Sequence, residues 1–307
     1  MDDDADAVGN GSSWESAYEF LQDALSDANL AGEPVEIRAA QGVYTPDTGD
    51  GYAPGDQSAT FELSNGLSIR GGFAGLAHPD PDARDVEKYE TVLSGDLQGD
   101  DATVEHSCEL LVEPSRSDNS YHVITASNTD STAILDGVII SGGNADGSAS
   151  GSFNSSGGGM LNFQADCTLT NVIFRENCAQ GEYTSGGGMY SSGGPNLVNC
   201  HFVDNLAYGS QAGSGGGMHS HGSPSPTLTS CLFEGNLSRC GGGLYATESI
   251  LTECVFRRNV AVIIGPDTSG VPSGGGGMYA APSNNRPILK NCVFVDNLGQ
   301  FGGGLRT

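Results

Sequence analysis

Residues 186–205 read Gly-Gly-Gly-Met-Tyr-Ser-Ser-Gly-Gly-Pro-Asn-Leu-Val-Asn-Cys-His-Phe-Val-Asp-Asn, and the pattern they set recurs along half the chain. Met160, Met189, Met218 and Met278 each close a Gly-Gly-Gly-Met string, and Leu244 and Leu305 close it with leucine. A second mark, Phe-x-x-Asn, alternates with the first: Phe174 to Asn177, Phe202 to Asn205, Phe233 to Asn236, Phe256 to Asn259 and Phe294 to Asn297. Two marks in fixed order are an internal repeat, and a repeat decides the architecture before any single element is read.

Aligned on phenylalanine, the copies share a leading leucine (Leu169, Leu197, Leu228, Leu251, Leu289) and a short β-rich run bounded by turn residues, which reads as strand. The phenylalanines stand 28, 31, 23 and 38 residues apart. The shortest spacing is one rung of a three-sided parallel β-helix, and the longer ones are the same rung with a loop added between the asparagine and the glycines, as at 145–156 and 260–273. Stacked rungs put equivalent side chains in columns about 4.8 Å apart. Leucine, phenylalanine and methionine fill the core. The asparagines turn the chain, tolerate left-handed backbone angles and hydrogen-bond rung to rung. The glycines allow a tight corner that a Cβ would block.

Residues 135–307 are the regular part and 31–134 the irregular one. Ser12-x-x-Glu15 reads as a capping box, and Trp14, Ala17, Tyr18, Leu21, Leu25 and Ala28 follow helical spacing. A helix over 12–30 covers the open end of the core. Strands are expected at 35–39, 60–63, 67–70, 121–126 and 134–140, and 75–120 as a long surface excursion. The fold expected is all-β, a right-handed parallel β-helix with an N-terminal capping α-helix, in one domain of about ten rungs and roughly 45–50 Å.

The chain has 307 residues, 47 glycines, 12 basic and 38 acidic residues, and a net charge of −26. Such a surface repels phosphate backbones, which argues against a nucleic-acid partner, and it suits salt, calcium or an extracellular setting. There is no apolar run of transmembrane length. Met1 is followed by Asp2-Asp3-Asp4, which is no signal peptide, so the chain reads as a portion whose targeting and anchoring parts lie outside it. Cys200, Cys231, Cys254 and Cys292 occupy the place of Val172 in the first copy, an apolar core position, so they read as a buried thiol ladder. Cys108, Cys167, Cys178 and Cys240 fall outside that column, and a Cys178–Cys240 or Cys167–Cys178 bridge stays open.

The alternating marks resemble the repeats of chlamydial polymorphic outer membrane proteins, with glycine where that family has alanine. More broadly the chain is similar to right-handed β-helix proteins of the pectin-lyase-like superfamily, through Gly-x-Gly-Ser-Ser-Trp-x-x-Ala-Tyr at 9–18 and Leu135-Asp-Gly-Val-Ile-Ile-Ser-Gly-Gly-Asn144. The first resemblance implies adhesion, and the second allows polysaccharide cleavage.

The residue after each glycine string forms the column Leu161, Tyr190, His219, Tyr245, Tyr279, Arg306. If methionine points in, alternation turns this column out. Tyr190, His219, Tyr245 and Tyr279 then make an exterior aromatic ladder suited to an extended glycan. The competing reading is stacking that only stabilises the sheet. Catalytic signals are sparse. Asn128-Thr-Asp130 carries one element of a polygalacturonase pattern without the rest, and His219-Ser-His221 has no carboxylate column beside it. The repeat acids Glu176, Asp204, Glu234 and Asp296 read as solvated turn residues. Gly95-Asp96-Leu-Gln-Gly-Asp100-Asp101 has part of the oxygen spacing of a calcium loop, with Asp96, Asp100 and Asp101 as ligands; Gln98 stands at its third place and no glutamate at its twelfth, so an acidic surface loop is the favoured reading, and the cofactor expectation is none, with Ca2+ as the alternative. The Thr168/Thr170 and Thr227/Thr229 pairs have the form of an ice-binding array but break at Val198 and Lys290. The leading expectation is a non-catalytic, secreted or surface-attached module that binds polysaccharides, cell-surface glycans or partner surfaces. The alternative is a polysaccharide lyase or glycoside hydrolase with its site in 75–130.

Overall fold

The computed structural model describes residues 1–5, 9–147, 153–263, 273–282 and 286–307. The chain winds as a parallel β-helix. Three sheets hold eight strands each, and a fourth holds six. One sheet carries the leucines, as in Thr168–Thr170 and Asn196–Val198. The next carries the phenylalanines, as in Ile173–Arg175 and His201–Val203. A third carries the methionines, as in Met160–Phe163, Met189–Ser191 and Met218–Ser220. Every ladder pairs equivalent repeat positions, for example Leu169 with Leu197, Phe174 with Phe202 and Met189 with Met218.

Columns of like side chains follow from that register. Phe174, Phe202, Phe233, Phe256 and Phe294 stack with neighbouring centroids 4.7 Å apart and planes within 6°. The first four of these, with Met160, Met189, Met218, Leu244 and Met278, are fully buried. Cys200, Cys231 and Cys254 are buried in column as expected, with Cys292 half-buried on the last rung. Cys178 is a free thiol packed with Leu110, Leu206 and Leu237, so neither bridge left open by the spacing forms.

The asparagines form a hydrogen-bonded ladder. Asn177 Nδ2 donates to Asn205 Oδ1 at 3.1 Å, and the chain of amides continues through Asn236, Asn259 and Asn297 at 2.9 Å each. Each amide also donates to a carbonyl inside the turn, such as Asn236 Nδ2 to Phe202 O. The left-handed angle falls one place earlier than the sequence implies, on Glu176, Asp204, Gly235, Arg258 and Asp296. The ladder asparagine must point its amide inward along the axis, so the preceding residue makes the turn. In each triplet the first glycine takes positive φ, as at Gly186 (+66°), while a Cβ on the third, Gly188, would lie 2.6 Å from Gly217 O on the next rung.

Four expectations are corrected. The stack has eight rungs, not ten, so it is about 34 Å long at the sheet spacing, because residues 74–120 contribute one strand, Thr91–Ser94. The β-helix is not simply three-sided: the segment between asparagine and glycines pairs as the fourth sheet, including Cys178–Ser185 and Leu206–Ser214. The expected loop at 260–273 lies largely outside the described residues, and that at 145–156 does so over 148–152. The capping helix runs over Leu21–Ala31 rather than 12–30. The amides of Asn10 and Gly11 both take Ser16 O, and Asn10 Oδ1 takes the Ser12 hydroxyl, so no capping box forms and Trp14–Ser16 is a single 3-10 turn. The true helix still covers the core end, burying Leu21, Ala24 and Leu25 and ending at Gly32 in the left-handed region. Among the described residues no helix is long and apolar enough to cross a membrane.

Candidate functional site

Strand alternation turns the column after the glycines to the outside of the methionine sheet, since Met189 and Ser191 both point in and Tyr190 lies between them. There the rings stack on one another. Tyr190 lies 5.5 Å from His219, His219 4.6 Å from Tyr245 and Tyr245 5.3 Å from Tyr279, with planes within 18°. The Arg306 guanidinium covers the far face of Tyr279 at 5.1 Å. Phe153 covers the near side of Tyr190 at 5.6 Å. Ring faces along the column are thereby occupied, and only 7% of Tyr190 and 9% of His219 is exposed. The ladder runs along the axis, with each ring face against the ring on the next rung.

The stack ends in a cleft of about 570 Å3 at the corner between the methionine and leucine sheets. Its walls are Phe153, Phe163 and Tyr190, and its polar lining includes Gln164, Asp166, Ser192 and His221. Three consecutive rungs supply them. Phe163 ends the strand Met160–Phe163, one residue beyond the inward Asn162 and so on the same face as Leu161, and its ring meets Phe153 at 5.1 Å. Gln164 takes φ +51° to turn the corner, and its amide donates to Ser192 Oγ on the next rung at 3.0 Å. Asp166 Oδ1 accepts from the Gly194 amide at 2.8 Å, which fixes the carboxylate at the cleft edge. Gly193 lets that turn lie against Ala165, whose carbonyl oxygen would be 2.3 Å from an added Cβ.

His221 enters from the third rung. Its Nε2 lies 2.6 Å from the Tyr190 hydroxyl, and its ring stands edge-on to both Tyr190 and His219. Burial pushes the His221 imidazole below its ordinary range and the Tyr190 phenol above its own. Burial, with a smaller contribution from His221, takes His219 down to about 3. At neutral pH all three are uncharged. The lining then offers one carboxylate, two open aromatic walls and a neutral hydrogen-bonding pair. Acid–base cleavage of a glycosidic bond uses two carboxylates, and the described lining contains one.

The other expected ligands lie elsewhere. Asp96 accepts from the amides of Gly99, Asp100 and Asp101 at 2.8, 3.1 and 3.0 Å, so it closes its own loop. Asp96 and Asp100 come together with Asp118, whereas Asp101 turns inward to Arg116 Nη1 and Asn119 Nδ2, both at 2.9 Å. Glu234, read as a solvated turn acid, is buried and ion-paired with Arg257 and Arg258. The sequence singled out Tyr190 and His221. Phe153, Phe163, Gln164 and Asp166 carried no signal, because they stand at non-equivalent places in the repeat.

A family comparison agrees with this architecture. The family described as "Right handed beta helix region" matches residues 152–305, half of the chain, and the chain belongs to that family. The solved structure of pectate lyase Pel9A is similar over 91% of this chain, at 15% identity and a TM-score of 0.47. This chain spans 58% of that protein's length. Comparison with curated proteins gave no match.

Proposed function

We propose that this chain is an extracellular or cell-surface β-helix module that binds glycans, and that it does so in the Phe153–Phe163–His221 cleft rather than along the ladder. The observation that carries the reading is the pairing of open aromatic walls with fixed polar groups. Phe153 is 41% exposed beside Gln164, Asp166 and the Tyr190–His221 pair. Apolar walls with a few placed polar groups are the usual composition of a small-ligand site, and the volume lies within the usual range. Adhesion, implied by the repeat resemblance, is a use of such binding. The test is calorimetry against a panel of oligosaccharides with the intact chain and Phe163→Ala. Binding that the variant loses supports the proposal; a panel without heat, on folded protein, removes it. Reducing-sugar release or unsaturated-uronate absorbance above background would favour the lyase or hydrolase alternative.

Calcium at the acidic loop is a separate proposal. Asp96, Asp100 and Asp118 present oxygen donors only, the chemistry a hard cation takes. Calcium is expected to raise the melting temperature of the chain and not of Asp118→Ala; an unmoved midpoint removes it.

A further inference from the structure

The cleft also has a charge preference. Among the described residues that line it, Asp166 is the one carboxylate, none is arginine or lysine, and burial lowers the affinity of His221 for a proton. The Asp166 Oδ1 is fixed by the Gly194 amide, and that bond orients the carboxylate without neutralising it. The chain as a whole carries −26, which concentrates cations and repels uronates and sulfated sugars. Aromatic faces add to this, because their quadrupole attracts ammonium groups as well as sugar C–H bonds.

Resting on the reading of the cleft as a glycan site, we infer that its ligand is a glycan bearing free amino groups, a glucosamine-type oligomer whose ammonium pairs with Asp166 while a sugar face lies on Phe163 and Phe153. The neutral Tyr190–His221 pair and Gln164 then meet the uncharged hydroxyls. An N-acetylated sugar keeps the stacking but has no charge for Asp166. A uronate brings a second negative charge against it.

The experiment compares short glucosamine, N-acetylglucosamine and galacturonate oligomers of equal length, by calorimetry in mildly acidic buffer at two salt concentrations. The glucosamine oligomer is expected to bind about tenfold tighter than the acetylated one, the weight of one charge-assisted hydrogen bond. Its affinity should fall with salt, and the galacturonate oligomer should give no heat. Asp166→Asn keeps the acceptor for Gly194 and should bring the two amino-sugar oligomers within about threefold of each other. Asp296→Asn, on the last rung, should leave the preference in place. Equal affinity for the two oligomers in the intact chain overturns the inference while leaving glycan binding standing. So does a preference that survives Asp166→Asn, since it would then come from the acidic surface at large. No binding of any oligomer, by folded protein, overturns both.

Discussion

Two aromatic columns run along the regular part of this β-helix, one inside and one outside. The inner phenylalanines stack at 4.7 Å with planes within 6°, four of the five in full burial. The outer Tyr190, His219, Tyr245 and Tyr279 stack at 4.6–5.5 Å with planes within 18°, partly in solvent. Both arise from the same in-register repetition. The inner column fills a core, whereas the outer one lays its ring faces on one another. Phe153 and Phe163 stand where the repetition stops, and both line the cleft.

The difference can be broken from either side. Phe233→Ala opens a cavity between two stacked rings and should cost about 3–5 kcal/mol in denaturant unfolding. Asn236→Ala should follow at about 3 kcal/mol, because it removes the acceptor of the buried Asn205 backbone amide and side-chain amide and the side-chain donor to the Phe202 carbonyl. Tyr245→Ala should cost only about 1 kcal/mol, the worth of an exterior ring contact. A cost equal to that of Phe233→Ala would show that the outer column is core in all but position.

Acid sharpens the same contrast, since the outer column alone contains a titrating ring. His219 takes up a proton near 6.5 when unfolded and near 3 when folded, so the unfolded state binds more protons between those values. Stability should fall as pH drops through that window, with the buried His122 acting in the same direction. His219→Tyr, which matches the rings on either side, should flatten part of the slope. A slope unchanged in that variant would place the acid sensitivity elsewhere. Thiol accessibility gives the mildest test. Cys108 is exposed and should react with a thiol reagent at once, while Cys200, Cys231 and Cys254 should react only on unfolding.

What could be read from the sequence was what repeats. Met218, Phe233, Cys231 and Asn236 each have four or five counterparts, so their columns, facing and ladder bonds followed from alignment. Gly42–Tyr44 and Thr91–Ser94 had no counterpart and are too short to show a period, so they went unread. The Ser12–Glu15 box failed because a competing backbone pairing, through Ser16 O, was invisible in the pattern. Register told which way Tyr190 points but not what its faces touch, because stacking depends on the neighbouring rung. The cleft was illegible for a related reason: Phe163, Asp166 and His221 come from three rungs at three different repeat positions.

The central claim is that recognition sits in the end cleft and not on the ladder. Parallel calorimetric titrations of Phe163→Ala and Tyr279→Ala, with the oligosaccharide that the intact chain binds most tightly, test it directly. Phe163→Ala should weaken binding about tenfold, with Tyr279→Ala within about twofold of the intact chain. Loss of affinity in Tyr279→Ala with Phe163→Ala unaffected would contradict it.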